Sequence, residues 1–155
     1  MEMKTKIKNR DDKKMPVRFD TETIRLITLF ENMSGAPVKD CMLDQGTNTL
    51  YFIIDEGSVG IAIGKNGNSV KKAEHVIGKS IKLFEFSKDI ATFVKNLIPQ
   101  VTEIKIRNDD NKKVIVEIKV DKKSKAMVIG RDGRNLKIFK ELLSRSHNVD
   151  DLIVR

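Results

Sequence analysis

One phrase occurs twice in this 155-residue chain, and it constrains the fold more than any other feature. The first copy is Ile61-Ala62-Ile63-Gly64-Lys65-Asn66-Gly67-Asn68-Ser69-Val70-Lys71, and 66 residues later comes Met127-Val128-Ile129-Gly130-Arg131-Asp132-Gly133-Arg134-Asn135-Leu136-Lys137. Each copy runs from an apolar stretch into a glycine, a basic residue, a polar residue and a second glycine, then into an amphipathic helix. Repetition at a fixed period means one structural unit used twice. Paired glycines let the main chain turn sharply and let a bulky ligand come close to it. The helix that follows presents free N–H groups and the positive end of its dipole to the same spot, which suits a phosphate. Lys65 and Arg131 add a full charge beside it.

The segments around each copy repeat as well. Leu26, Leu29, Phe30 and Met33 keep helical spacing, with Ile24 and Ile27 beside them, and Ser34-Gly35-Ala36-Pro37 ends that helix. Val38 to Asp44 and Thr49 to Asp55 read as a hairpin closed by Gln45-Gly46-Thr47-Asn48. Ser58 opens a short helix to Ile63. After the loop, a helix turns Val70, Ala73, Val76 and Ile77 inward, Gly78 stops it, and Ile81 to Phe86 forms a third strand. The second half follows suit. Ser87 caps a helix carrying Ile90, Phe93, Val94 and Leu97, ended by Pro99. Strands alternate through Thr102, Ile104 and Ile106, then through Val114, Val116, Ile118 and Val120, around the turn Asn108-Asp109-Asp110-Asn111. Asp121 to Ser124 starts the short helix before the second loop. Leu136, Phe139, Leu142 and Leu143 repeat the inward positions, and Val149 to Val154 is the last strand.

The order is helix, strand, strand, helix, loop, helix, strand, twice over, an α+β arrangement. With its Ile-Gly-x-x-Gly step between helices, each half resembles the K-homology (KH) domain. The order is that of the type II form, because only 22 residues follow Gly133, room for one helix and one strand. Two abutting type II KH domains (α-β-β-α-α-β each) resemble the archaeal NusA-like transcription termination/antitermination factors. The resemblance divides the chain into a basic disordered arm over 1–18, KH domain 1 over 19–86 and KH domain 2 over 87–155. It implies that single-stranded RNA is clamped at the loops, about four nucleotides per domain. Gly64, Lys65, Asn66 and Gly67 would serve the first site, and Gly130, Arg131, Asp132 and Gly133 the second. Asn68, Ser69, Arg134 and Asn135 would open the helices within reach of phosphate or sugar. Ile63 and Ile129 either floor a groove for bases or belong to the core. The implied activity is action on nascent transcripts in the cytoplasm, with RNA polymerase or ribosomal components as protein partners. The alternative is a ribosome-associated or RNA-processing KH protein.

Charge supports an anionic partner: 30 Lys and Arg stand against 22 Asp and Glu, a net +8. The excess is uneven. Residues 1–18 hold seven basic residues against Glu2, Asp11 and Asp12. Around the first loop, Lys65, Lys71 and Lys72 are cancelled by Asp55, Glu56 and Glu74. Around the second, residues 121–140 hold seven basic residues against Asp121 and Asp132, a net +5, so the second copy is expected to carry more of the salt-dependent affinity. Aromatic residues are few and most sit at inward positions, so base stacking on exposed rings is not expected to dominate.

Other chemistry finds little support. Cys41 is the one cysteine, and His75 and His147 lack metal-ligand spacing, so neither a disulfide nor a metal or other cofactor is expected. Gly78-Lys79-Ser80 resembles the end of a phosphate-binding P-loop, but Ala73 stands where that motif needs glycine, and the flanking helix and strand are in reverse order. No nucleophile and base are paired in the pattern, so no catalysis is expected. The longest apolar run, Leu50 to Ile54, is too short for a bilayer, and the N-terminus lacks the apolar segment of a signal peptide.

Overall fold

The computed structural model describes residues 21–155. The basic arm expected over 1–18 lies outside the described residues. The chain divides into two compact units between Asp89 and Ile90.

In the first unit, α1 (Thr21–Ser34) buries Leu26 and Phe30, one helical turn apart. Phe30 stacks on Phe52 with ring centroids 4.6 Å apart. Gly35, at φ 78°, ends α1, and its N–H donates to the Glu31 carbonyl at 2.8 Å. Strands β1 (Val38–Asp44) and β2 (Thr49–Ile54) pair antiparallel; β3 (Ser80–Glu85) then joins β2 in parallel, in the order β1-β2-β3. Every residue of β2 is buried, as a central strand rich in Ile, Phe and Tyr permits. A parallel partner cannot be reached through a tight turn. The crossover is made by α2 (Val59–Ile63), a one-turn loop and α3 (Asn68–Ile77). Ala62 and Ala73 are fully buried, and these small residues let both crossover helices lie close against Leu50, Phe52 and Ile54.

The second unit repeats this plan: α4 (Ile90–Leu97), antiparallel β4 (Val101–Asn108) and β5 (Val114–Val120), α5 (Lys122–Ile129), the second loop, α6 (Arg134–His147), and β6 (Asp151–Val154) parallel to β5. The α+β class and the helix–strand–strand–helix–helix–strand order are as the sequence predicts.

Three local expectations change. Val76 is 54% exposed rather than inward. Its counterpart Leu142 is 1% exposed, and Ile138, which stands where Lys72 stands in the first copy, is buried although no inward role is predicted for it. At 100° per residue, Ile138 and Leu142 widen the buried arc of α6 to one side. The ten-residue α3 has no apolar side chain at the first of those positions and leaves the second in solvent. Ser58 and Asp121 do precede α2 and α5, but neither side chain makes a capping bond. Their main-chain carbonyls instead accept from Ala62 at 3.1 Å and from Lys125 at 3.0 Å. Ser87 acts one turn before α4, where its Oγ accepts from the Asp89 N–H at 3.2 Å.

Candidate nucleic-acid interface

The two loops repeat at the level of individual dihedrals. Gly64 has φ 78°, ψ 173° and Gly130 has φ 80°, ψ 170°. Asn66 (56°, 27°) matches Asp132 (57°, 26°), and Gly67 (75°, 13°) matches Gly133 (72°, 16°). The first conformation is one that essentially only glycine adopts. The next is left-handed, where Asn and Asp are the side chains best tolerated. The third again favours glycine. The pattern glycine, basic, Asn or Asp, glycine is therefore a backbone specification before it is anything chemical. Each loop closes as a single tight turn, Gly67 N–H to the Gly64 carbonyl at 3.2 Å and Gly133 N–H to the Gly130 carbonyl at 3.1 Å.

Within each loop, the glycines differ in what their missing side chains make room for. A Cβ on Gly64 would meet Ser69 Oγ at 2.5 Å and its main-chain N at 2.8 Å; on Gly130 it would meet the Asn135 Cγ and N, both at 2.9 Å. The first glycine thus admits the chain's own next helix. A Cβ on Gly133 would find nothing within 4 Å, and on Gly67 only the Lys71 Cε at 3.7 Å. The second glycine is therefore the one that leaves main chain open to an approaching ligand.

The N-cap positions of α3 and α6 are Gly67 and Gly133, which offer no side-chain cap. The first N–H groups of a helix have no partner within it, and here no side chain caps them. Each loop therefore presents orphan donors next to a positive dipole end. Lys65, Asn66, Asn68, Arg131, Asp132 and Arg134 are exposed, while Ser69 and Asn135 are half-buried against the first glycines. Lys65, Arg131 and Arg134 have no ion-pair partner among the described residues, so their charge is free to meet an anion.

The charge difference between the copies persists in three dimensions. Lys122, Lys123, Lys125, Arg131, Arg134, Lys137 and Lys140 are all exposed; of these Lys140 pairs with Asp151 at 3.1 Å. In the first copy Glu74 accepts from the Ile81 N–H at 2.9 Å, at the start of β3.

Ile63 is 39% exposed and Ile129 half-buried, so both lie between groove and core. Sequence reasoning missed Ile61 and Met127, which occupy one position in the two copies and are 55% and 57% exposed. The signal was available: an apolar residue recurs three positions before the first glycine in both copies, on helices whose buried face is already filled by Ala62 and Val128.

A model of the KH domain matches residues 25–103, and one of the NusA-like second KH domain matches residues 90–153. The chain belongs to the NusA-like KH family. It is 34% identical over 140 residues to the probable transcription termination protein NusA of Methanocaldococcus jannaschii, covering 89% of this chain and 75% of that one. A protein of the same name from Halobacterium salinarum is 29% identical, with 89% and 98% covered. Among solved structures, the crystal structure of APE1850 superposes with a TM-score of 0.74 at 33% identity, over 88% of this chain and 99% of that one. The paired KH folds of this NusA-like chain thus extend over nearly the whole of two of these three relatives. No group of three or more His, Cys, Asp or Glu that could hold a metal ion is found among the described residues, and none of their helices is long and apolar enough to cross a membrane.

Proposed function

We propose that the chain binds single-stranded RNA at its two Gly-x-x-Gly loops and acts on nascent transcripts in the cytoplasm as a transcription termination/antitermination factor, without a catalytic step. KH domain 1 (19–86) and KH domain 2 (87–155) each supply one loop. The observation that carries this reading is the duplication of the loop, dihedral by dihedral, at the mouth of a helix with no side-chain cap. Uncommon backbone conformations cluster at binding sites, and here the same one occurs in both copies. In this reading the phosphates meet the N–H groups of Lys65, Asn66, Arg131 and Asp132, while Lys65, Arg131 and Arg134 supply charge. Asp132 is compatible with this, because its side chain is exposed to solvent and the contact is made by main-chain N–H groups. The bases lie towards Ile61 and Ile63, and towards Met127 and Ile129. The names of the relatives in M. jannaschii and H. salinarum support transcription termination as the process.

Replacing Lys65 and Arg131 together by Asp, with the fold intact by circular dichroism, tests the binding step. Affinity for single-stranded RNA is expected to fall at least tenfold; unchanged affinity would place the site elsewhere. Capture of bound proteins from cell extract tests the process. RNA polymerase subunits are expected, and ribosomal proteins in their place would overturn the assignment to transcription.

A further inference from the structure

The second loop is tied to the helix before it, and the first is not. Asn135, near the start of α6, folds its side chain back across Gly130, so that a Cβ there would stand 2.9 Å from the Asn135 Cγ and 3.0 Å from Nδ2. From that position the Nδ2–H donates to the Met127 carbonyl at 3.0 Å. Met127 lies in the last turn of α5. One side chain therefore joins the helices on either side of the loop and fixes the angle between them. The residue at the same place in the first copy is Ser69. Its hydroxyl also lies over the first glycine, but it forms no side-chain hydrogen bond among the described residues. Serine is too short to reach back to Ile61, the counterpart of Met127.

A second difference points the same way. The Lys71 side chain lies over Gly67, with its Cε 3.7 Å from where a Cβ would be. Its counterpart Lys137 leaves Gly133 clear, with nothing within 4 Å. The second loop is thus both tied and open. The first is untied and partly covered.

We propose that Asn135 is a positioning residue that holds the second loop ready for RNA before the strand arrives, whereas the first loop is ordered by the strand itself. The proposal rests on the RNA-binding reading above. A loop already held in its bound shape gives up less conformational freedom on binding, so the same contacts yield tighter association. In this role Asn135 acts through the loop, by the Nδ2–H that it gives to the Met127 carbonyl.

The test exchanges the two residues in the full chain. Asn135→Ser gives the second loop the first loop's residue. Ser69→Asn gives the first loop an amide that the matching dihedrals place within reach of the Ile61 carbonyl. Two quantities are read for each: amide hydrogen exchange of the free protein, and affinity for a labelled single-stranded RNA of random sequence across a salt series. Asn135→Ser is expected to speed exchange over residues 131–135 and to weaken binding roughly three- to tenfold, the worth of one hydrogen bond. The salt slope should stay the same, because no phosphate-neutralising charge is lost. Ser69→Asn is expected to slow exchange over residues 65–69 and to tighten binding. Unchanged exchange in Asn135→Ser overturns the proposal, and so does faster exchange without loss of affinity. If the Lys65→Asp, Arg131→Asp pair weakens binding while the exchange of residues 69 and 135 does nothing, the positioning role alone fails. If that charge-reversed pair binds normally, the RNA reading fails and this inference falls with it.

Discussion

The first unit places its long helix before the first strand of its sheet, and the second places it between the second and third strands. Helix α1 has 14 residues and α3 has 10, whereas α4 has 8 and α6 has 14. In the first unit α1 contributes Leu26 and Phe30 to the core, and α3 buries only Ala73. In the second, α4 contributes Phe93, Val94 and Leu97, and α6 adds Ile138, Leu142 and Leu143. Between these different distributions, the two loops hold dihedrals that agree to within a few degrees. A core can be redistributed among neighbouring helices provided its volume is filled. A backbone turn that must present its own N–H groups has no such freedom.

Breaking that comparison begins in the core. Leu142→Ala is expected to cost about 2–5 kcal/mol of stability by leaving a cavity. Its counterpart Val76→Ala, at a solvent-exposed position, is expected to change stability by less than about 0.5 kcal/mol. Urea denaturation of the two variants gives both numbers, and equal losses would mean that α3 and α6 share one buried arc after all. The glycines come next. Gly130→Ala must fit a Cβ 2.9 Å from Asn135 in a conformation that L-residues avoid, and is expected to cost about 2–3 kcal/mol. Gly133→Ala meets only left-handed strain, about 1–2 kcal/mol, and should show its larger effect in RNA affinity. The reverse order, with Gly133→Ala the less stable, would contradict the division of roles within the loop.

The charge asymmetry should appear in salt dependence. Arg131→Gln with Arg134→Gln is expected to lower the slope of log K against log[salt] by about 0.7 per charge removed. Lys65→Gln should lower it by less than either arginine, because the first loop lies in a neutral surrounding. Equal slopes after losing charge from either copy would sink the view that the second site carries more of the electrostatic affinity. The smallest effect concerns Glu117, on the sheet of the second unit. A hydrogen bond from Arg107 holds its carboxyl below the ordinary carboxylate range, with the charge of Arg155 acting in the same direction. A depressed folded-state value means that its contribution is present above the unfolded value and is lost as pH falls through the folded one. Glu117→Gln should therefore lower stability slightly at neutral pH and flatten acid unfolding below pH ~4.5, where the contribution is already being lost. Stability unchanged at every pH would show that the two arginines contribute nothing through Glu117.

Much of the architecture is legible in the chain. The strand Val38–Asp44 and the helix stops at Gly35 and Gly78 fall where turn chemistry puts them, because a positive φ favours glycine over any other residue. The repeat then does for the second half what punctuation does for the first. Periodicity failed at Val76 and Ile138. Apolar spacing marks which residues can face inward, but the arc that is covered depends on which elements pack there. The outward-facing Ile61 and Met127 escaped notice for the same reason, since an apolar side chain on a short helix looks like core until its neighbours are placed. The bond from Asn135 to Met127 joins two helices across a turn, and its geometry exists only once that turn has its dihedrals.

The sequence by itself determined the order of elements, the twofold repeat and the identity of both loops, because glycine, Asn and Asp at fixed places encode local backbone angles that need no partner. Tertiary structure alone decided which glycine faces outward, how wide an arc each helix buries and which loop is tied to the helix before it. Those properties belong to distances between segments, and a linear pattern specifies angles along the chain far better than distances across it.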